Sequence, residues 1–229
     1  MARTLSAIDP LIHLPQPAVP LLGADALLAK GPHGIVFGPV SLAVASGEAL
    51  AIVGDGGSGR TSLLLALAGR LRLAGGHVSL DGHPDDLQAV RRAVAVARAG
   101  QLTDLDELWT IGEAIAHRVV LASDRHAVRA AVQSRLTAFG LDLDPAARMY
   151  TLGPLQLTLF SVALSAAEDR PVLVVDDVDR GLSGAEESQV WRVLKKLAAE
   201  GRAVVGATTD TRAAREAGVR VLDLSEVSS

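Results

Sequence analysis

The stretch Ala49-Leu50-Ala51-Ile52-Val53-Gly54-Asp55-Gly56-Gly57-Ser58-Gly59-Arg60-Thr61-Ser62 decides the fold. Five apolar residues run into a glycine-rich turn. The turn runs into Ser62-Leu63-Leu64-Leu65-Ala66-Leu67, a helix-like segment free of Gly and Pro. A short unbroken apolar run suits a strand covered on both faces, as in a parallel sheet. Gly54 to Thr61 has the GxxxxGK[ST] spacing of a P-loop, with Arg60 in the place of lysine. Across Gly54, Asp55, Gly56, Gly57, Ser58, Gly59, Arg60, Thr61 and Ser62, the glycines would let backbone N–H groups curl around phosphate oxygens. The following helix start adds favourable partial charge. Thr61 would offer a hydroxyl to Mg²⁺. Arg60 keeps the positive charge of lysine on a longer, planar head.

A second apolar strand, Val172-Leu173-Val174-Val175, ends in Asp176-Asp177. This is the shape of a Walker B motif. Asp176 would hold Mg²⁺ opposite Thr61. The next position usually carries a glutamate that orients the attacking water. Asp177 is one methylene shorter and stops about 1.5 Å short of that point.

Further outward, Val40–Ala45 reads as a strand ahead of the Ser46-Gly47-Glu48 turn, and His77–Leu80 as one closing on Asp81-Gly82. Ala93–Ala97, Ala203–Ala207 and Val219–Leu224 read as further strands. Ile111–Leu121, Arg125–Phe139, Leu155–Ala167 and Glu186–Glu200 read as helices, the last with Ser183 as its cap. Apolar strands alternating with helices mean a mostly parallel sheet under helices. One domain over 1–229 is expected: an irregular N-terminal arm over 1–30, a core over 31–98 and 150–229, and a helical subdomain over 101–149.

Composition narrows the function. The 229 residues contain no cysteine, which removes disulfides, thiolate metal sites and cysteine nucleophiles and fits a reducing compartment. The net charge of −4 argues against a nucleic-acid partner. No run approaches the roughly 18 apolar residues of a spanning helix. Pro10, Pro15, Pro17 and Pro20 break any apolar leader, so a cytoplasmic chain is expected. The histidines show no metal-ligand spacing. Trp109 is either a packing residue or a contact for a partner.

With both motifs placed, the chain resembles the nucleotide-binding domain of ATP-binding cassette (ABC) transporters, from about Val36 to Leu224. The resemblance implies an α/β, P-loop NTPase core of ABC type, with a mostly parallel sheet, an antiparallel β-subdomain and a helical subdomain. Leu152-Gly153-Pro154-Leu155-Gln156 stands where the family has its LSGGQ signature, making Gly153 and Gln156 candidate nucleotide contacts. Gly181-Leu182-Ser183-Gly184 looks like the D-loop. Gly206-Ala207-Thr208-Thr209-Asp210 is similar to the switch region, with Thr209 in the place of histidine. Either Arg98 or Gln101 occupies the Q-loop position. Gly31, Pro32 and His33 stand where an adenine-stacking aromatic is expected.

In this family two cassettes pair head to tail around two nucleotides, each site combining one chain's P-loop with the other's signature. Here both halves are altered. Leu155 puts bulk where a glycine lets backbone approach phosphate, and Pro154 removes an N–H donor. The loss of a single transition-state donor typically costs a factor of about 10² to 10³. The resemblance therefore implies a subunit that binds ATP and Mg²⁺, with Asp177 and Thr209 as degenerate catalytic positions and weak or absent hydrolysis. It implies a homodimer, or a heterodimer with another ABC-type subunit. It also implies a separate transmembrane permease and a place on the inner face of the membrane. The alternative is a pseudo-ATPase scaffold or regulatory subunit that no longer binds nucleotide.

Overall fold

Val53, the last residue before the glycine-rich turn, lies between Thr208 and Asp223 in a parallel sheet. The computed structural model describes residues 20–84, 86–98, 106–122 and 124–226. Its strands are β1 (Leu22–Gly31), β2 (Gly34–Val44), β3 (Ala49–Val53), β4 (Gly75–Leu80), β5 (His83–Pro84), β6 (Val94–Ala97), β7 (Val172–Val175), β8 (Ala203–Thr208) and β9 (Arg220–Asp223). Its helices are α1 (Arg60–Leu67), α2 (Leu87–Ala93), α3 (Ile111–Val120), α4 (Arg125–Ala138), α5 (Pro154–Ala166), α6 (Gly184–Ala199) and α7 (Arg212–Glu216).

The strands form two sheets, a parallel one in the order β6-β7-β8-β3-β9 and an antiparallel one in the order β2-β1-β4-β5. The period-2 alternation of β3 divides the core. Leu50 and Ile52 point to one face, where α1 and the antiparallel sheet pack. Ala49, Ala51 and Val53 point to the other, where α5, α6 and α7 pack. Both faces are covered, which explains why β3, β7 and β8 read as continuous apolar runs.

A third cluster joins Ile111 and Ala114 of α3, Val132 and Leu136 of α4, and Phe160, Ala163 and Leu164 of α5. Helix α5 therefore serves both the helical subdomain and the sheet, and its buried residues occupy every side of the helix. That two-sided burial accounts for its unusually apolar sequence.

The expectation of an irregular arm over 1–30 is corrected for its second part. Leu22 to Gly31 form a full strand, paired with β2 on one side and β4 on the other. Register shifts along β1 between Ala24 and Lys30 blur its alternation, which hid it from periodicity. Residues 1–19 lie outside the described residues. Among the described residues, no helix is long and apolar enough to cross a membrane.

Candidate functional site

The two sequence motifs meet at the carboxyl edge of the parallel sheet. β3 ends at the glycine-rich turn, β7 at Val175 just before Asp176, β8 at Thr208 and β6 at Ala97. Ligands of open α/β sheets bind at this edge. The turn is held from below by β2. Gly59 has φ of +88°, and a Cβ there would lie 2.5 Å from the carbonyl oxygen of Val36 and 2.9 Å from Cβ of Phe37. Only glycine fits, and it turns the chain into α1 directly at Arg60.

The side chains of this edge are short of partners. Five buried side-chain nitrogen and oxygen atoms among the described residues lack a hydrogen bond. Three are Ser58 Oγ, Arg60 Nη1 and Asp176 Oδ2. The other two belong to Arg220, whose Nε is ion-paired with Glu48 at 2.5 Å. A buried orphaned polar atom costs about 1–3 kcal/mol, so such atoms at the ends of neighbouring strands of one sheet mark a place for a polar ligand.

Asp176 is 1% exposed. Burial pushes its carboxyl above the usual carboxylate range, and the charge of Asp177 adds to the rise. The Thr61 hydroxyl, the Asp177 N–H and the charge of Arg60 oppose it. Asp177 N donates to Asp176 Oδ1 at 3.0 Å, leaving Oδ2 open. Asp177 itself has φ of +45°, a left-handed conformation uncommon for a non-glycine residue.

The structure brings Thr61, Arg60, Asp176 and Asp177 together. It turns Thr209 elsewhere. Both the N–H and the hydroxyl of Thr209 donate to Asp179 Oδ2, the N–H at 2.9 Å. Behind it, Thr208 Oγ1 donates to Glu187 Oε1 at 2.7 Å, and Trp191 Nε1 donates to the same oxygen at 3.0 Å. Sequence reasoning did not find Asp179, because its partner lies 30 residues away and the pairing follows from β7 and β8 being neighbours.

Gly153 and Gln156 sit at the start of α5. Gly153 N donates to Gln156 Oε1 at 3.1 Å, so the glutamine caps its own helix. That helix start leans on Gly181, where a Cβ would lie 3.4 Å from Pro154. Arg98 directly follows β6, 8% exposed and with φ of +53°. Its Nη1 donates to Thr158 Oγ1 of α5, tying the helical subdomain to the sheet. Gln101, the other candidate for the Q-loop position, lies outside the described residues. A cleft of about 480 Å³ opens beside Arg98, lined also by Tyr150, Leu152, Leu157 and Arg180. Trp109 packs on His117, with ring centroids 4.9 Å apart.

Known proteins resemble this chain in sequence and fold. The ABC transporter family profile matches residues 37–180. The chain is 32% identical over 215 residues to the hemin import ATP-binding protein HmuV of Nocardia farcinica, covering 87% of this chain and 72% of that one. It is 27% identical over 213 residues to the ribose import ATP-binding protein RbsA 1 of Rubrobacter xylanophilus, covering 90% of this chain. It spans only 43% of that relative's length. Among solved structures, the ATP-binding cassette MJ0796, a dimer bound to ADP and Pi, superposes with a TM-score of 0.74 at 22% identity over 91% of this chain and 97% of that one. The cbiO1 protein of Clostridium perfringens, part of the ABC transporter complex cbiONQ, gives 0.74 at 18% identity over 91% and 86%. These two likenesses establish an ABC cassette fold, with its parallel sheet, antiparallel sheet and helices. The profile match runs through the P-loop and the Asp176 strand and covers more than half of the sequence, so this chain belongs to the ABC transporter family.

Proposed function

We propose that this chain is the ATP-binding subunit of a membrane transport or secretion complex, with slow or delegated ATP hydrolysis. The observation that carries the reading is the set of three orphaned buried atoms: Ser58 Oγ and Arg60 Nη1 at a glycine-rich turn that opens a helix, and Asp176 Oδ2 just after β7. Two of these residues can donate and one accepts, which suits a polyphosphate carrying a cation. Among the described residues, no group of three or more His, Cys, Asp and Glu side chains could hold a metal alone. Mg²⁺ would therefore be held by Thr61 and Asp176 jointly with phosphate oxygens, the usual habit of that ion. When bound, it would neutralise charge developing on the phosphates.

The backbone N–H groups of Gly54 to Ser62 would orient the phosphate chain, and Arg60 would add a charge-assisted grip. Asp177 reaches less far than a glutamate would. Thr209 is committed to Asp179 and lacks the imidazole of the family pattern. Both features support weak turnover. Gly153 and Gln156 would meet nucleotide only across a dimer, either with a second copy or with another ABC-type subunit. The relatives named as import ATP-binding proteins support a separate permease as the other partner and the inner membrane face as the location. The helical subdomain around Trp109 would be its contact.

Equilibrium titration with ATP, with and without Mg²⁺, tests the reading. Binding in the micromolar to low millimolar range is expected, and no binding at millimolar ATP would sink it. The second reading is a pseudo-ATPase scaffold or regulatory subunit that no longer binds nucleotide, in which the Thr209–Asp179 link leaves the switch position out of use. The combined changes Arg60→Lys, Asp177→Glu and Thr209→His separate the two. A weakened enzyme should gain at least about ten-fold in turnover, whereas a scaffold should gain none.

A further inference from the structure

At the amino edge of the parallel sheet, opposite the glycine-rich turn, arginines gather from four parts of the chain. Arg91 and Arg92 lie in the last turn of α2, just before β6, and Arg170 stands two residues before β7. Arg70 follows the end of α1, and Arg118 lies in the last turn of α3. β6 and β7 are each four residues long, which sets this edge about 13 Å from the P-loop edge. The chain as a whole has a net charge of −4, so five guanidinium groups in one place are a local reversal of sign.

The carboxylates beside them do not balance this charge. Glu168 is ion-paired with both Arg118 and Arg170. Asp124 accepts from the N–H of Ala127 at 2.9 Å and caps α4. Asp169 is exposed and also faces Arg202. The backbone holds the cluster in place. Arg170 Nη1 donates to Arg91 O at 2.9 Å and to Val94 O at 3.0 Å, and Arg91 Nε donates to Gly69 O at 2.6 Å. Burial holds the Arg70 guanidinium below the usual arginine range. The charges of Arg170, Arg118 and Arg91 add to the fall, and that of Glu168 opposes it. Arginine stays protonated at any ordinary pH, so a bound anion is what relieves such crowding.

Beside the arginines opens a cleft of about 760 Å³, lined by the end of α3, the start of α4 and the segment between α5 and β7. Its lining has two characters. Arg92, Arg118 and Arg170 are charged, whereas Leu121, Val128 and Ala167 are apolar, and Leu121 is 70% exposed. Guanidinium forks suit phosphate oxygens, which they can bind in pairs. An exposed apolar wall rewards a hydrocarbon group that covers it. We propose that this cleft is a second ligand site, for a soluble phosphate monoester bearing an apolar substituent. Arg92, Arg118 and Arg170 hold the phosphate, and Leu121 and Val128 cover the substituent. The site shares no residue with the glycine-rich turn or with Asp176 and does not depend on nucleotide binding there.

Isothermal titration calorimetry of the whole chain with hexyl phosphate, inorganic phosphate and hexanol tests it. Hexyl phosphate should bind at least about ten-fold more tightly than inorganic phosphate, and hexanol should give no heat. Arg92→Gln and Arg118→Gln should each weaken both phosphates by about five-fold or more. Leu121→Ser should weaken hexyl phosphate alone. A thermal melt of each variant separates lost binding from lost folding. Arg92 is exposed, so its variant keeps the readout where Arg118→Gln does not fold. In NMR spectra, hexyl phosphate should shift the amide signals of Leu121 and Val128. Shifts confined to Gly54–Ser62 would seat the phosphate in the P-loop and overturn the second site. So would no heat from hexyl phosphate at about 10 mM, or unchanged binding in the folded arginine variants. Equal affinity for the two phosphates would overturn the apolar wall. Sedimentation with phosphatidic acid vesicles, without binding of hexyl phosphate, would make the patch a membrane contact and overturn the small-molecule site.

Discussion

The P-loop half and the signature half of this chain handle polar groups in opposite ways. At the P-loop, Ser58, Arg60 and Asp176 are left with buried atoms that no protein group satisfies. At the start of α5, Gly153 and Gln156 satisfy each other, and Thr158 accepts from Arg98 while its own hydroxyl donates to Pro154 O at 2.9 Å. The first region stores a cost that a ligand can relieve. The second has closed its hydrogen bonds within the chain. The two regions therefore differ in kind: the glycine-rich turn and the end of β7 keep buried atoms without partners, while the start of α5 is a capped helix start.

The sharpest way to break this contrast is a pair of glycine substitutions. Gly59→Ala forces a Cβ against the Val36 carbonyl in a left-handed conformation and should cost about 2–3 kcal/mol. Gly153→Ala meets nothing closer than Gln156 Oε1 at 3.8 Å and should cost only about 0.5 kcal/mol. Urea denaturation reads both, and equal costs would erase the contrast.

Asp176→Asn sharpens the same point with the opposite sign. Removing a buried charge with an open oxygen should stabilise the ligand-free chain by about 1 kcal/mol while reducing any Mg²⁺-dependent gain in nucleotide affinity. Destabilisation would mean that Asp176 is satisfied after all.

Arg98→Gln probes the closed half. It removes the bond to Thr158 and should cost about 1 kcal/mol. The loss should show as faster hydrogen exchange in α3 and α4 than in β3, because the helical subdomain loses a tether and the sheet does not. Uniform acceleration across the chain would contradict a tether.

The smallest effect concerns the far end of α6. Glu200 accepts two bonds from Arg135 of α4, at 2.5 and 2.6 Å, and this pairing holds its carboxyl below the usual range. A depressed carboxyl stabilises the fold above its unfolded pKa of about 4.3, and that contribution fades as pH falls through the folded value. Glu200→Gln should lower stability slightly at neutral pH, and the difference from the unmodified chain should vanish under acid conditions. A difference independent of pH would assign the pair no electrostatic role.

The order of strands and helices was legible because each element carries its own local signal. The apolar runs at Ala49 and Val172, the glycine turn between β3 and α1, and the Ser183 cap with Glu186 are all read within a few residues. β1 escaped because its alternation is broken by register shifts. The glycine-rich turn and Asp176 were legible as separate motifs, and the sheet order places the strands that carry them, β3 and β7, in one parallel sheet. The open valences were not legible, because whether Arg60 Nη1 or Ser58 Oγ finds a partner depends on groups distant in sequence.

By itself, then, the sequence determined the cassette frame, the glycine cradle, Arg60 in the place of lysine and the missing stacking aromatic, all features of residue type and spacing. Tertiary structure alone decided that Thr209 belongs to Asp179 and that Arg98 binds Thr158. The physical reason is range. Local pattern governs backbone conformation, whereas the partner of a side-chain hydrogen bond is chosen by which strand ends and helix starts the sheet order brings side by side.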